Sequence, residues 1–106
     1  MIPIYINTDT LIRVDKLKNE NTGSYVNDAT VVMTLYEDEA GATAVSGATS
    51  LQFEYVTSSD GRYHGNIPDS LSLVEGTIYW LFITTTIGTL KRTDKLQGEA
   101  VYADGD

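Results

Sequence analysis

Between Val31 and Tyr36 the side chains alternate: Val31, Met33 and Leu35 fall on one face and Val32, Thr34 and Tyr36 on the other. Leu51 to Tyr55 repeats the pattern, with Leu51, Phe53 and Tyr55 set against Gln52 and Glu54. Ile78 to Thr84 is apolar on both faces, as expected of a central strand covered on both sides. Period-two runs rich in Val, Ile, Thr and Tyr argue for strands rather than helices. Leu11 to Lys18, with Ile12 and Val14 toward the core, and Tyr63 to Ile67 are two further strands, and Leu90 to Tyr102 supplies the last, divided near Gly98. Turn signals stand between the runs at Asn21 to Gly23, Glu39 to Gly41, Ser59 to Gly61, Pro68-Asp69, Glu75-Gly76 and Ile87-Gly88. Asp60-Gly61 is the strongest and predicts a tight hairpin. No helical stripe of useful length is present; Asp69 to Val74 could form one helical turn at most. About seven short strands with closely spaced turns predict an all-β sandwich of two sheets.

The expected core is Val31, Met33, Leu35, Leu51, Phe53, Tyr79, Leu81 and Ile83. Tyr79 lies two residues before Leu81, the spacing of the corner tyrosine that opens a late strand of immunoglobulin-like sandwiches; there the ring fills the core and the hydroxyl bonds to upstream backbone. Residues 1–10 form an amino-terminal arm or edge strand, 11–103 the sandwich and 104–106 an acidic tail. In the arm, Ile2, Ile4 and Ile6 alternate with Pro3 and Tyr5. Pro3 has no N–H to give a ladder, which restricts the segment to an edge. It is either the first strand of this domain or an arm laid across a neighbouring subunit.

Composition narrows the chemistry. In 106 residues, 7 Lys and Arg face 15 Asp and Glu, for a formal charge of −8. That sign opposes binding to phosphate backbones and to anionic lipid, so neither nucleic acid nor a membrane is an expected partner. The absence of cysteine excludes disulfides and thiolate ligation, and the single histidine, His64, excludes a multi-histidine metal site or a histidine-based triad. No run approaches the roughly 18 apolar residues of a membrane-spanning helix. The apolar start breaks at Asn7, so a soluble chain without a signal peptide is expected. Glu37, Asp38 and Glu39 run consecutively into a glycine turn and read as a solvated loop, because glycosidase carboxyls must face each other across a cleft. The loop lacks calcium-loop spacing. No phosphate loop or Gly-x-Ser-x-Gly elbow occurs, and no cofactor or catalytic residue is expected.

The cations gather as Arg13, Lys16 and Lys18 in one strand and Lys91, Arg92 and Lys95 in another. First and last strands of such sandwiches can be neighbours, so the two groups could form one basic patch. That patch would either protect a sheet edge or dock an acidic subunit.

The layout resembles small immunoglobulin-like bacteriophage virion proteins. Ala29 to Asp38 looks like their early strand and acidic turn, Val45 to Thr49 like the approach to the next strand, and Tyr55 to Pro68 like their Asp-Gly-x-Tyr-x-Gly-x-Ile-Pro hairpin, completed by Gly76 to Tyr79. The resemblance implies an immunoglobulin-like β-sandwich of about seven antiparallel strands. It also implies a non-enzymatic place in the virion, foremost as a capsid decoration or cement protein bound to the major capsid protein or another virion subunit. Neck or tail modules are alternatives, as is a receptor- or carbohydrate-binding module stacking sugars on Tyr5, Tyr25, Tyr36, Tyr63, Tyr102 and Trp80. The partner-binding residues expected are Ile2, Ile4, Tyr5, Ile6, Arg13, Lys91 and Arg92, with homo-oligomers on the particle possible.

Overall fold

The computed structural model describes residues 1–19 and 22–102, so Asn21 of the first turn signal and the acidic residues 104–106 lie outside the described residues. Eight strands are found among them: β1 (Ile2–Ile6), β2 (Thr10–Val14), β3 (Thr30–Tyr36), β4 (Leu51–Gln52), β5 (Glu54–Tyr55), β6 (Tyr63–Ile67), β7 (Ile78–Ile87) and β8 (Leu90–Tyr102). They form two packed sheets, a five-stranded one in the order β1-β8-β7-β3-β4 and a three-stranded one in the order β2-β6-β5. The ladders are antiparallel except that of β1 and β8, which run parallel.

The core is built by alternation. Val31, Met33 and Leu35 of β3 and Tyr79, Leu81 and Ile83 of β7 point inward, facing Ile12 of β2 and Tyr63 and Ile67 of β6. Phe53 is buried as expected, while Leu51 is only half-buried because β4 is a two-residue edge. β7 is central in its sheet but covered on one side only. Ile78, Trp80, Phe82 and Thr84 are half-buried on the outer face, because no second layer lies over the five-stranded sheet.

Three predicted features are corrected. Leu51 to Tyr55 is not one strand: β4 pairs with β3 and β5 pairs with β6, the chain changing sheets at Phe53. Phe53 donates its N–H to Val31 O (2.9 Å) and lays its ring on Gly65, where a Cβ would come within 2.4 Å of Cε1. The Asp60-Gly61 signal does not make a two-residue hairpin. The β5–β6 connection runs from Val56 to Arg62, and Gly61, at φ +70°, packs against the Leu17 backbone while its O accepts the Leu17 N–H (2.9 Å). Finally, β8 is undivided, and only its environment changes at Gly98: Leu90 to Gln97 are exposed, and Gly98 and Ala100 are buried. The segment from Asp69 to Val74 forms no helical turn.

The amino-terminal segment is a strand of this domain's own sheet. Ile2 to Ile6 pair with Gly98 to Tyr102, and Ile4 (0% exposed) and Ile6 are sealed in the core. The expectation that Ile4 and Ile6 meet a partner is therefore corrected: the core occupies both side chains.

Tyrosine hydroxyls fasten the connecting segments. Tyr63 donates to Val26 O (2.7 Å) and accepts from the Ala29 N–H (3.0 Å), which holds the entry to β3. Burial raises its pKa above the ordinary tyrosine value. Tyr79 is 3% exposed and accepts from the Val74 N–H (3.0 Å), the upstream backbone bond its position suggests. Tyr55 donates to Ser59 O within the β5–β6 connection.

Leu81 is fully buried at the centre of β7, and Leu81→Ala is expected to destabilise the fold by about 2–5 kcal/mol in denaturant titrations; a cost under about 1 kcal/mol would show that the site collapses around the change. Deleting residues 1–7 removes two buried isoleucines worth roughly 1.5–3 kcal/mol each, which should lower the thermal midpoint by about 12 °C or more. An unchanged midpoint would contradict the place of β1 in the sheet.

Candidate interaction surface

The outer face of the five-stranded sheet is where this two-layer fold departs from the usual alternation of apolar inside and polar outside. The ladders fix which residues share it. Pro3, Glu99 and Ile78 form one row, Gln97, Trp80 and Tyr36 the next, then Lys95, Phe82 and Thr34, then Thr93, Thr84 and Val32. Tyr5 and Val101 pair at the β1 end of the same face. Tyr5, Val32, Tyr36, Ile78, Trp80, Phe82 and Val101 are each half-buried, with no layer above them.

One corner of this face is roofed by the chain. Phe82 meets Tyr36 in a tilted ring contact at 4.6 Å, and the Lys95 ammonium lies 4.8 Å over the Phe82 ring. The acidic loop after β3 folds across the pair, with Gly41 so close to Phe82 that a Cβ would stand 2.8 Å from Cε2. Asp38 organises the loop: its carboxylate accepts the N–H groups of Ala42 (3.0 and 3.1 Å) and Thr43 (2.9 Å). Lys95 Nζ donates to Glu39 O (3.2 Å). The Ala42 and Thr43 bonds hold the Asp38 pKa below the ordinary carboxylate value. Beyond the loop, Trp80, Ile78, Tyr5 and Val101 lie on the same face around Glu99, which stands between Pro3 and Ile78.

The expected partner residues are distributed over both sides of the molecule. Tyr5 is on the outer aromatic face, Ile2 is half-buried at the edge, and Ile4 and Ile6 are internal. Lys91 and Arg92 stand near the β7–β8 turn, where they line an open cleft together with Lys18, Leu17 and Ile87. Arg13 does not join them, which corrects the expected Arg13–Lys91 patch. Thr10 and Ile12 fill the core, so Arg13 points outward from the three-stranded sheet, whereas Lys91 points outward from the five-stranded one. Arg13 is level instead with His64 and Glu54 across β2, β6 and β5. His64 points outward as expected and is half-buried, its Nε2 lacking a hydrogen-bond partner.

Of the six aromatic side chains proposed for sugar stacking, Tyr5, Tyr36 and Trp80 share the outer face. Tyr63 is internal, and Tyr25 lies at the Lys18 bridge with that ammonium 5.0 Å from its ring. Among the described residues, no three His, Cys, Asp or Glu side chains come together as a metal site. Among the same described residues, no helix is long and apolar enough to cross a membrane. In comparisons with protein-family models, curated proteins and solved structures, nothing matches the chain.

A carboxylate whose pKa is lowered by folding contributes stability above its unfolded pKa and loses it as pH falls through the folded value. The Ala42 and Thr43 amide resonances should therefore report a titration with a midpoint below the ordinary aspartate value of 3.8. Asp38→Asn should abolish it. A midpoint at or above 3.8 would contradict the capping role.

Proposed function

We propose that the protein is a non-enzymatic structural module of a bacteriophage virion, a capsid decoration or cement subunit that docks on the major capsid protein through the outer face of its five-stranded sheet. The observation that carries the docking surface is the set of large side chains, Trp80, Ile78, Tyr5 and Val101, that surround Glu99 on a face where a solvated sheet carries polar residues. Trp and Tyr are enriched where one protein buries another, because they bring large area with a polar tip. The virion setting is supported by the resemblance of Ala29 to Asp38 and Tyr55 to Pro68 to phage virion proteins.

We read the sandwich as immunoglobulin-like. The order β8-β7-β3-β4 opposite β2-β6-β5 follows the G-F-C-C′ and B-E-D arrangement of that architecture, and the Tyr79 hydroxyl bond fits its corner tyrosine. Many copies, each bound modestly, would stabilise a shell by favouring its assembled state. The aromatic trio Tyr5, Tyr36 and Trp80 supports a second reading, a carbohydrate-binding face at the host-facing end of the particle.

Sedimentation with intact shells tests the first reading. Trp80→Ala should weaken binding by about 10-fold or more, as removal of a central aromatic anchor does. Leu11→Ser, on the opposite outer face, should leave binding unchanged. If shells bind both variants equally well, the docking surface lies elsewhere. Binding to glycans but not to shells would favour the second reading.

A further inference from the structure

β8 outruns its neighbour. β1 covers it only from Gly98 onward, so from Leu90 to Gln97 one edge of β8 has no partner strand among the described residues. Which backbone groups face that edge follows from the ladders. Ala100 directs its N–H to Thr77 O (3.1 Å), and its O accepts the Gly76 N–H (2.9 Å), so it faces β7. The β7–β8 register is constant from Ile78↔Glu99 to Ile87↔Leu90, without a bulge. Alternation along the strand then turns the even-numbered residues of β8 toward β7. The N–H and C=O groups of Lys91, Thr93, Lys95 and Gln97 face the open edge.

The side chains on this edge are self-complementary. The sequence from Leu90 to Leu96 is Leu-Lys-Arg-Thr-Asp-Lys-Leu, and reflection about Thr93 relates leucine to leucine, lysine to lysine and arginine to aspartate. Two such strands placed antiparallel about a twofold axis at Thr93 set Leu90 against Leu96 of the second copy and Arg92 against its Asp94, each pair occurring twice. Both leucines are exposed, at 53% and 41%. Arg92 and Asp94 lie on the same side of the strand and pair with each other at 3.2 Å, so the two-copy arrangement exchanges this contact for cross-strand ones. The backbone parity places these pairs at the non-hydrogen-bonded positions, where opposed Cα atoms are only about 4.5 Å apart and side chains interact most.

The unfavourable pair, Lys91 opposite Lys95, falls at the wider hydrogen-bonded positions, about 5.5 Å apart. Lys95 is also drawn over Phe82 to Glu39 O, across β7 and away from the edge. Lysines on an open edge ordinarily deter pairing; in this register the attractive pairs occupy the close positions. The rest of this edge, formed by β1, offers no such match. The outward groups of β1 belong to Pro3, which has no N–H, and to Tyr5, whose N–H is donated to Thr10 Oγ1 (2.8 Å).

We propose that two copies of the chain join edge to edge through Leu90–Leu96, antiparallel about Thr93, as an isologous dimer whose five-stranded sheets become one continuous sheet. The outer aromatic face of each copy stays open in this pairing, so the dimer is independent of what that face binds.

Sedimentation velocity over a concentration series tests it. The wild-type chain should show a dimer that grows with concentration. Arg92→Asp brings carboxylates together in both cross-strand pairs and Asp94→Arg brings guanidinium groups together, so each variant alone should dimerise at least 10-fold more weakly. An equimolar mixture of the two variants restores opposite charges in both pairs, and its dimer should return to near wild-type strength. Thr93→Pro removes an outward N–H that the β7 ladder does not use; it should abolish the dimer while leaving the circular dichroism spectrum unchanged. A wild-type chain that stays monomeric at high micromolar concentration overturns the proposal. So do single variants that dimerise as tightly as wild type, or a mixture no tighter than its components.

Discussion

β1 can lie beside β8 because residue 98 has no side chain. A Cβ there would stand 2.5 Å from Ile4 Cδ1 and 3.1 Å from Leu81 Cδ1. In that space, bordered by Leu81 Cδ1, Ile4 reaches complete burial, and Ala100 two residues on leaves room for the same wall. Much else follows from this contact. It turns an apolar amino-terminal segment into a closed side of the core, presents Tyr5 outward beside Val101, and determines where along β8 the covered half begins. A larger residue at 98 would push β1 off and expose Ile4, Ile6 and Ala100 together, a contiguous apolar surface.

Strands with one strongly apolar face are legible in the sequence because that face has to be buried. β3 and β6 are found where alternation places them, and all but Leu51 of the expected core residues are buried. The sheet change at Phe53 is not legible. Alternation from Leu51 to Tyr55 continues undisturbed through it, since a chain crossing between two packed sheets keeps its apolar side toward the same core. Nor does the sequence contain the partner of β1: an edge strand with Pro3 is readable, but the choice between its own β8 and a neighbour depends on the space at Gly98, which is a three-dimensional property.

The surface is harder to read than the core, for a related reason. Apolar residues on both faces of Ile78 to Thr84 suggest double coverage, whereas the second face holds the aromatic patch; apolar character alone does not distinguish a buried face from an uncovered one. Charge groupings mislead in the same way. Arg13 and Lys91 are both basic strand residues, but the parity of Ile12 and that of β8 send them to opposite outer faces. The acidic loop, expected to be solvated, is exposed and is also structured around Asp38 and Lys95, because short backbone reaches let a single carboxylate satisfy two successive N–H groups.

The parallel pairing of β1 and β8 has a mechanical consequence. Ile2 is level with Gly98, and Ile6 with Tyr102, so the start of β1 and the end of β8 lie at opposite ends of the same short ladder. Tension applied between these two points slides one strand along the other. The ladder bonds and the side chains seated across them then bear the load together instead of opening one after another from an end. Resistance to such a pull is set by the rate of forced unfolding and not by equilibrium stability. A pull along the line joining the start of the first strand to the end of the last therefore meets this ladder in shear.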